Sequence, residues 1–403
     1  MKKPFCILLS FMLLLSLTAC QRQPLVQSGT STTTDVNCST GIDETINDTL
    51  RMPLIAISTP VNRESTRMND ETEIFFLTYQ DIAMIAPDAE HAEKITLKLL
   101  QKIDERLTES KVIQDYAKQD YLSGNGYFPY FYKNIYNPFR IDEKVLSLYG
   151  AETVYNGGVH PNLLCVSANY DMATGEELEL KDILQSDAAA ASICGTILTN
   201  LKENEEEYML FDGYDDAVQQ QYGSLNTITT DSWYLSAEGL SLYFSPYELA
   251  PYASGIIEVM IPYDQLNGIL KDDFLPPELP GCNGKADVIL AQDIDLNKFS
   301  QFAEAILDPN GERFLFFSDG LISNIRLLEG TWDENGVRFT PTHTAFLANT
   351  LGTGDAIMVQ AMFSDVMPNL QLSYDSGDQT YTYFVAQSGK DGSIYLIEPE
   401  ETH

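Results

Sequence analysis

The chain has 403 residues, with 24 Lys and Arg against 59 Asp and Glu and a formal net charge of −35 at pH 7. A field of that sign repels nucleic acid and anionic lipid headgroups and speeds encounter with basic partners, which excludes a nucleic-acid-binding role. At 44% hydrophobic and 11% aromatic the chain is globular in composition, and its length exceeds what one ordinary core holds.

Residues 1–19 read as a secretory leader. Lys2 and Lys3 give a positive start, residues 4–15 are almost wholly apolar, and the stretch is short for a membrane span. Leu17-Thr18-Ala19-Cys20 looks like a bacterial lipobox, in which Cys20 becomes the lipidated N-terminus. Each buried methylene contributes about 0.8 kcal/mol, and two chains are roughly what stable anchoring takes. Removal of Lys2 and Lys3 with the leader takes the charge from −35 to −37. Residues 20–49, rich in Ser, Thr and Gly, read as a flexible tether. No later apolar stretch approaches the roughly 20 residues of a bilayer span. The expected location is the extracytoplasmic face of the cell membrane, held by lipid alone.

The remainder reads as α+β, in three parts: an N-terminal α+β domain (50–142), a second α+β domain (143–275) and a β-rich domain (285–403). Residues 72–87 are strand-like, and residues 89–119 place Ile95, Leu99, Ile103 and Leu107 at the helical period. Residues 163–184 predict a strand, a turn at Ala173-Thr174-Gly175 and a second strand running into Asp182, which would cap a helix over 188–204. The acidic run at 203–207 reads as a solvated helix end. Two strands around Glu238-Gly239, a Pro-Tyr-rich loop, a strand and a short helix follow. Beyond the Pro-rich break at 275–284, one early helix and then short strands predict a small sandwich or barrel.

Cys38, Cys165, Cys194 and Cys282 would lie in an oxidising compartment, where four cysteines allow three pairings. Cys165 with Cys194 is the expected bridge, between a strand and the following helix. No CxxC or zinc-like spacing occurs. Asp293, Asp295, Asn297 and Glu304 fall at calcium-loop positions, but Lys298 occupies the place of the turn glycine. An N-capped helix over 296–307, with Phe299, Phe302 and Ile306 on one face, accounts for them better, so no metal and no cofactor is expected.

The stretch YNGGVHPN (155–162) holds His160, one of four histidines with His91, His343 and His403. Gly157 and Gly158 admit backbone angles closed to other residues, and Pro161 keeps His160 out of the helical region. The reading is a sharp bend pinned by the ring. As a general base His160 would need an orienting carboxylate, with Asp171 and Glu176 as candidates, but there is no GxSxG nucleophile elbow. No catalytic set is expected. Aromatic residues are the stronger signal. Residues 127–139 hold seven rings in 13 positions, which reads as packing that seals the junction between the first two domains. Pro246-Tyr247, Pro251-Tyr252 and Pro262-Tyr263 repeat one dipeptide. Proline pre-orders the chain and Tyr joins a rigid apolar body to a polar tip, which makes Pro246, Tyr247, Pro251 and Tyr252 the candidate ligand-binding residues, with packing at a domain junction as the alternative.

YNGGVHPN, SANYDMATGEELELKDIL and WYLSAEGLSLYFSPYELAPYASGIIEVMIPYDQL, in that order, resemble the extracytoplasmic domain of RsiV-like anti-sigma factors, also found beside the catalytic domain of some peptidoglycan deacetylases. The resemblance covers about half of the chain. It implies an extracytoplasmic module of Gram-positive bacteria which, in the anti-sigma factors, binds lysozyme. The chain departs from those proteins in lacking a sigma-binding segment, and from the deacetylases in lacking their metal-holding Asp and paired histidines. The expectation is a lipid-tethered binding protein for a basic protein such as lysozyme or a peptidoglycan fragment. A cell-wall hydrolase or deacetylase using His160 is the alternative.

Overall fold

The computed structural model describes residues 52–228, 232–279, 281–364 and 367–399. The expected leader, the tether, Cys20, Cys38 and His403 lie outside them. The helical period at 89–119 produces the helix Ala89–Leu122, begun by Asp88, whose carboxylate accepts from the His91 N–H. This helix joins the strands Glu73–Gln80 and Tyr130–Ile141, which pair in parallel, and a parallel pair needs such a crossover. Val145–Tyr155 and Asn162–Asp171 continue the sheet in antiparallel fashion, and Val61–Arg67 forms its other edge. Ile95, Leu99 and Ile103 pack onto this sheet against Tyr136, Leu146, Leu148 and Tyr170.

The aromatic run mostly fills this helix–sheet interface. Tyr130 and Tyr132 point inward toward Ala117, while Phe131 stacks on Phe76 on the other face at 5.1 Å. Phe139 reaches the neighbouring region, where its ring lies 4.6 Å from Tyr234. The run therefore packs mainly within the first region, with Phe139 at the expected junction.

The middle region sets the helix Asp187–Glu203 and the shorter Glu205–Tyr208 and Tyr214–Tyr222 against a three-stranded sheet of Trp233–Leu235, Gly239–Phe244 and Ile257–Pro262. Ser186, not Asp182, caps the first of these helices: its hydroxyl accepts from the Ala189 N–H. Asp182 instead completes a capping box with Glu179 at the four-residue helix Leu180–Ile183, where a second strand was expected. Buried polar contacts join this region to the five-stranded sheet. The Asn169 side-chain amide donates to the Trp233 carbonyl, and the Leu235 N–H to the Ser147 hydroxyl. The boundary expected at 142/143 falls inside one antiparallel hairpin, Tyr130–Ile141 with Val145–Tyr155.

The C-terminal part is a sandwich of a seven-stranded and a four-stranded sheet around Val288, Phe314, Phe316, Leu327, Phe346 and Val359. Ala56–Ser58 and Ala83–Ile85 belong to the seven-stranded sheet, the first pairing with Phe339–Leu351, so the N-terminal segment is sewn into the last part of the chain. No helix forms over 296–307. Leu296–Lys298 is a single 3-10 turn and Gln301–Ile306 a strand parallel to Asp355–Ala361. Ala303 and Ala305 face the sandwich core, while Phe302 and Ile306 point outward. That alternation contradicts a helix with Phe299, Phe302 and Ile306 on one buried face.

Candidate binding surface

The bend at 156–161 closes the hairpin between Val145–Tyr155 and Asn162–Asp171, whose last pair is Val154 with Asn162. Its two glycines are not equivalent. Gly157 has φ +88°, and a Cβ there would fall 2.2 Å from the Tyr130 hydroxyl, which is itself fixed by donating to Asp120 at 2.7 Å. Gly158 has no left-handed backbone, and the nearest atom to a Cβ there is 3.7 Å away, so only the first glycine is obligatory.

His160 is pinned by the Pro-Tyr loop. Its ring stacks on Tyr252 with centroids 3.9 Å apart and planes 19° from parallel. The His160 Nδ1–H and the Tyr252 hydroxyl both donate to the Pro161 carbonyl, each at 2.9 Å, filling that oxygen's two lone pairs. Tyr252 in turn lies 5.8 Å from Tyr247. Two motifs 90 residues apart, Gly157-Gly158-Val159-His160 and Pro246-Tyr247 with Pro251-Tyr252, thus form one surface.

Sequence explains how the loop holds this shape. Pro251, at φ −61°, precedes the 3-10 turn Tyr252–Ser254. Tyr247 has φ +74°, a left-handed conformation rarely taken by residues other than glycine, and its N–H bonds the Ala250 carbonyl. Leu249 and Ala250 anchor the loop in the core, and the Cys165 N–H donates to the Ser245 hydroxyl beneath it. The ring of Tyr247 is left outside, 59% exposed, and Val159 is fully exposed. Residues 208–211 run alongside: the Phe211 N–H meets the Leu249 carbonyl and the Ser254 hydroxyl the Tyr208 carbonyl. They add exposed Met209 and Phe211. Around this apolar area stand exposed Glu205, Glu206, Glu207, Asp212, Asp215 and Asp216, and the run at 203–207 is solvated as its composition indicates.

The surface suits association better than proton transfer. Asp171 ends the strand that begins at Asn162, so at 3.3 Å per residue it lies on the order of 35 Å from His160. Glu176 is beyond it, ion-paired to Lys94 and Lys98, whose hydrogen bonds hold its carboxyl down to about 2. Neither carboxylate orients the imidazole.

Cys165 and Cys194 are not bridged. Cys165 is a free thiol below the Pro-Tyr loop, 3.4 Å from the Tyr149 hydroxyl, and Cys194 is a free thiol in the helical core facing the Val218 carbonyl. Burial pushes both thiols up in pKa. The two occupy different hydrophobic clusters, which is why the expected pairing fails.

Sequence reasoning misses a second feature. Asn324, at φ +52°, and Arg326 interrupt the apolar strand Ile322–Trp332 and line a cleft of about 710 Å³ against Glu238 and Glu258. The only sequence signal was three polar side chains, Ser323, Asn324 and Arg326, inside ISNIRLL.

No curated protein matches the chain. Solved structures similar to it include a DUF3298-family member from Bacteroides fragilis NCTC 9343, at 16% identity and TM-score 0.40 over 54% of this chain and 94% of that one, and a DUF3298-family protein from Pseudomonas aeruginosa PAO1, at 16% identity and TM-score 0.36 over 57% and 98%. Residues 181–264, which contain the whole Pro-Tyr loop, match the family model described as a protein of unknown function, DUF3298.

Proposed function

We propose that this is a lipid-tethered extracytoplasmic binding protein of a Gram-positive cell envelope, RsiV-like in its middle region, that captures a basic protein of the lysozyme type. The observation that carries the reading is the convergence of Tyr247, Tyr252 and His160 into one exposed aromatic surface bordered by carboxylates. Rigid aromatic rings on a pre-ordered loop supply anchors at low entropic cost, and the acidic border steers a cationic partner. The left-handed Tyr247 supports it, since such strain persists where a side chain must be presented.

A cell-wall hydrolase or deacetylase using His160 is the second reading, favoured only by the position of an imidazole at an exposed bend. Its ring is committed to Tyr252 and the Pro161 carbonyl, with no orienting carboxylate from Asp171 or Glu176. A capture assay with immobilised lysozyme, run beside an activity screen on peptidoglycan, separates the two. Retention of the parent and loss of retention in Tyr247→Ala support the binding reading. Wall hydrolysis or deacetylation lost in His160→Ala would replace it with the enzymatic one.

A further inference from the structure

The cleft at Asn324 and Arg326 lies far in sequence from the aromatic surface and has its own chemistry. It opens between one face of the sheet formed by Gly239–Phe244 and Ile257–Pro262 on one side and Ile322–Trp332 with Leu370–Ser376 on the other. Its volume of about 710 Å³ lies within the range of small-molecule sites, roughly 300–1,000 Å³.

Asn324 is the key to its floor. The pairing of Ile322–Trp332 with Leu370–Ser376 slips by one residue between Ser323 and Arg326, a bulge that places Asn324 in the left-handed region. Bulges of this kind re-aim side chains. The Asn324 amide donates to Asp375 at 2.9 Å and its oxygen accepts from the Arg326 Nε at 3.1 Å, so one strained residue positions both charges. Beyond that the guanidinium makes, among the described residues, only a long contact, 3.4 Å, from Nη2 to the Phe139 carbonyl. Among the described residues no acceptor takes Nη1, and no carboxylate comes within ion-pairing distance of Arg326. Burial lowers its pKa, with Asp375 and Glu238 pulling partly the other way.

Arg140 shows how this chain treats a buried arginine that serves structure alone. Its Nε pairs with Asp142 at 2.7 Å, and its Nη atoms reach the Tyr263 hydroxyl and the carbonyls of Phe274 and Leu275. Arg326 is half-buried at the cleft and its guanidinium is far less fully bonded than that of Arg140, so it has donors available to an incoming oxygen. Glu238, Glu258, Asp375 and Asp378 stand at the same cleft, and none of them is in an ion pair among the described residues. A simple anion meets their repulsion, and a simple cation meets Arg326. A ligand with both charges satisfies both.

We propose that this cleft binds small amphoteric ligands, free α-amino acids or short peptides with both termini free, whose carboxylate meets Arg326 and whose ammonium meets the carboxylates of the opposite wall. Bidentate guanidinium–carboxylate geometry supplies orientation, and the volume accommodates two or three residues of peptide.

The test is calorimetric titration of the full chain with trialanine, its N-acetylated form and its C-amidated form, alongside a panel of free amino acids. The expected result is saturable binding of trialanine, with both blocked forms at least tenfold weaker. Arg326→Met should weaken trialanine at least tenfold while leaving the amidated form unchanged. Exposed Glu238→Gln, on the wall opposite Arg326, should weaken trialanine and leave the N-acetylated form unchanged or improved, and this variant carries the test if Arg326→Met does not fold. Failure of trialanine and of every amino acid to bind, or equal binding of free and blocked peptides, overturns the proposal.

Discussion

The contact between His160 and Tyr252 is the point at which two distant motifs become one surface, and a double-mutant cycle measures it. The stack, with centroids 3.9 Å apart, should be worth about 0.5–1.5 kcal/mol beyond area burial. The Tyr252 hydroxyl on the Pro161 carbonyl adds about 1 kcal/mol. Burial of a half-exposed ring adds about 2 kcal/mol at 25 cal/mol per Å². Tyr252→Ala should therefore lower the unfolding free energy by about 3.5–4.5 kcal/mol, and Tyr252→Phe by about 1 kcal/mol. His160→Ala in the Tyr252→Ala background should cost less than His160→Ala alone by about 0.5–1.5 kcal/mol, read from urea unfolding at matched m-values. A coupling inside the roughly 0.3–0.5 kcal/mol scatter of independent sites would mean that the rings do not pin one another.

Four further outcomes follow. Gly157→Ala meets the Tyr130 hydroxyl in a left-handed backbone and should cost about 2 kcal/mol or more, against under about 0.5 kcal/mol for Gly158→Ala, both read from thermal unfolding. Burial lowers the pKa of His343 from 6.5 to about 4, so the unfolded chain binds the proton first and stability should fall as pH drops from about 6.5 toward 4. Burial raises Glu329, 3.3 Å from His343, which works in the opposite sense, so Glu329→Gln should steepen that loss and His343→Leu should flatten it. Native protein should resist thiol alkylation at Cys165 and Cys194 and become reactive at both on unfolding; a Cys165–Cys194 bridge found by peptide mapping would refute the free-thiol assignment. Cys20→Ser should lose lipid labelling and pass into the medium, and retention on membranes after high-salt washing would remove the lipobox from the account.

Local physics was legible wherever one face of an element was decided by large residues. Ile95, Leu99 and Ile103 announce the long helix because nothing else satisfies their spacing, and the turn signal at Glu238-Gly239 marks the strands that it joins. The strand Gln301–Ile306 was unreadable because its core-facing residues are Ala303 and Ala305, small enough for close sheet packing, while Phe302 and Ile306 face outward and imitate a helical stripe. Cys165 and Cys194 were mispaired because distance along the chain says nothing about which of two cores a side chain enters. The Pro-Tyr loop was visible as a composition, and its partnership with His160 was not, since a contact across about 90 positions leaves no periodic trace. Asn324 and Arg326 left still less: a β-bulge is a property of two strands, and the second, Leu370–Ser376, lies some 45 residues away.

The central claim is that the aromatic surface, and not net charge alone, binds a basic protein. Calorimetric titration with animal-type lysozyme at low salt and at about 0.15 M tests it most directly, because screening weakens steering while leaving buried anchors in place. Truncating a central buried aromatic typically costs about 2 kcal/mol or more. The account predicts saturable binding that survives about 0.15 M salt and weakens at least tenfold in folded Tyr247→Ala or Tyr252→Ala, about 1.4 kcal/mol per tenfold. Binding that disappears at physiological salt, or that is unchanged in both variants, would contradict it.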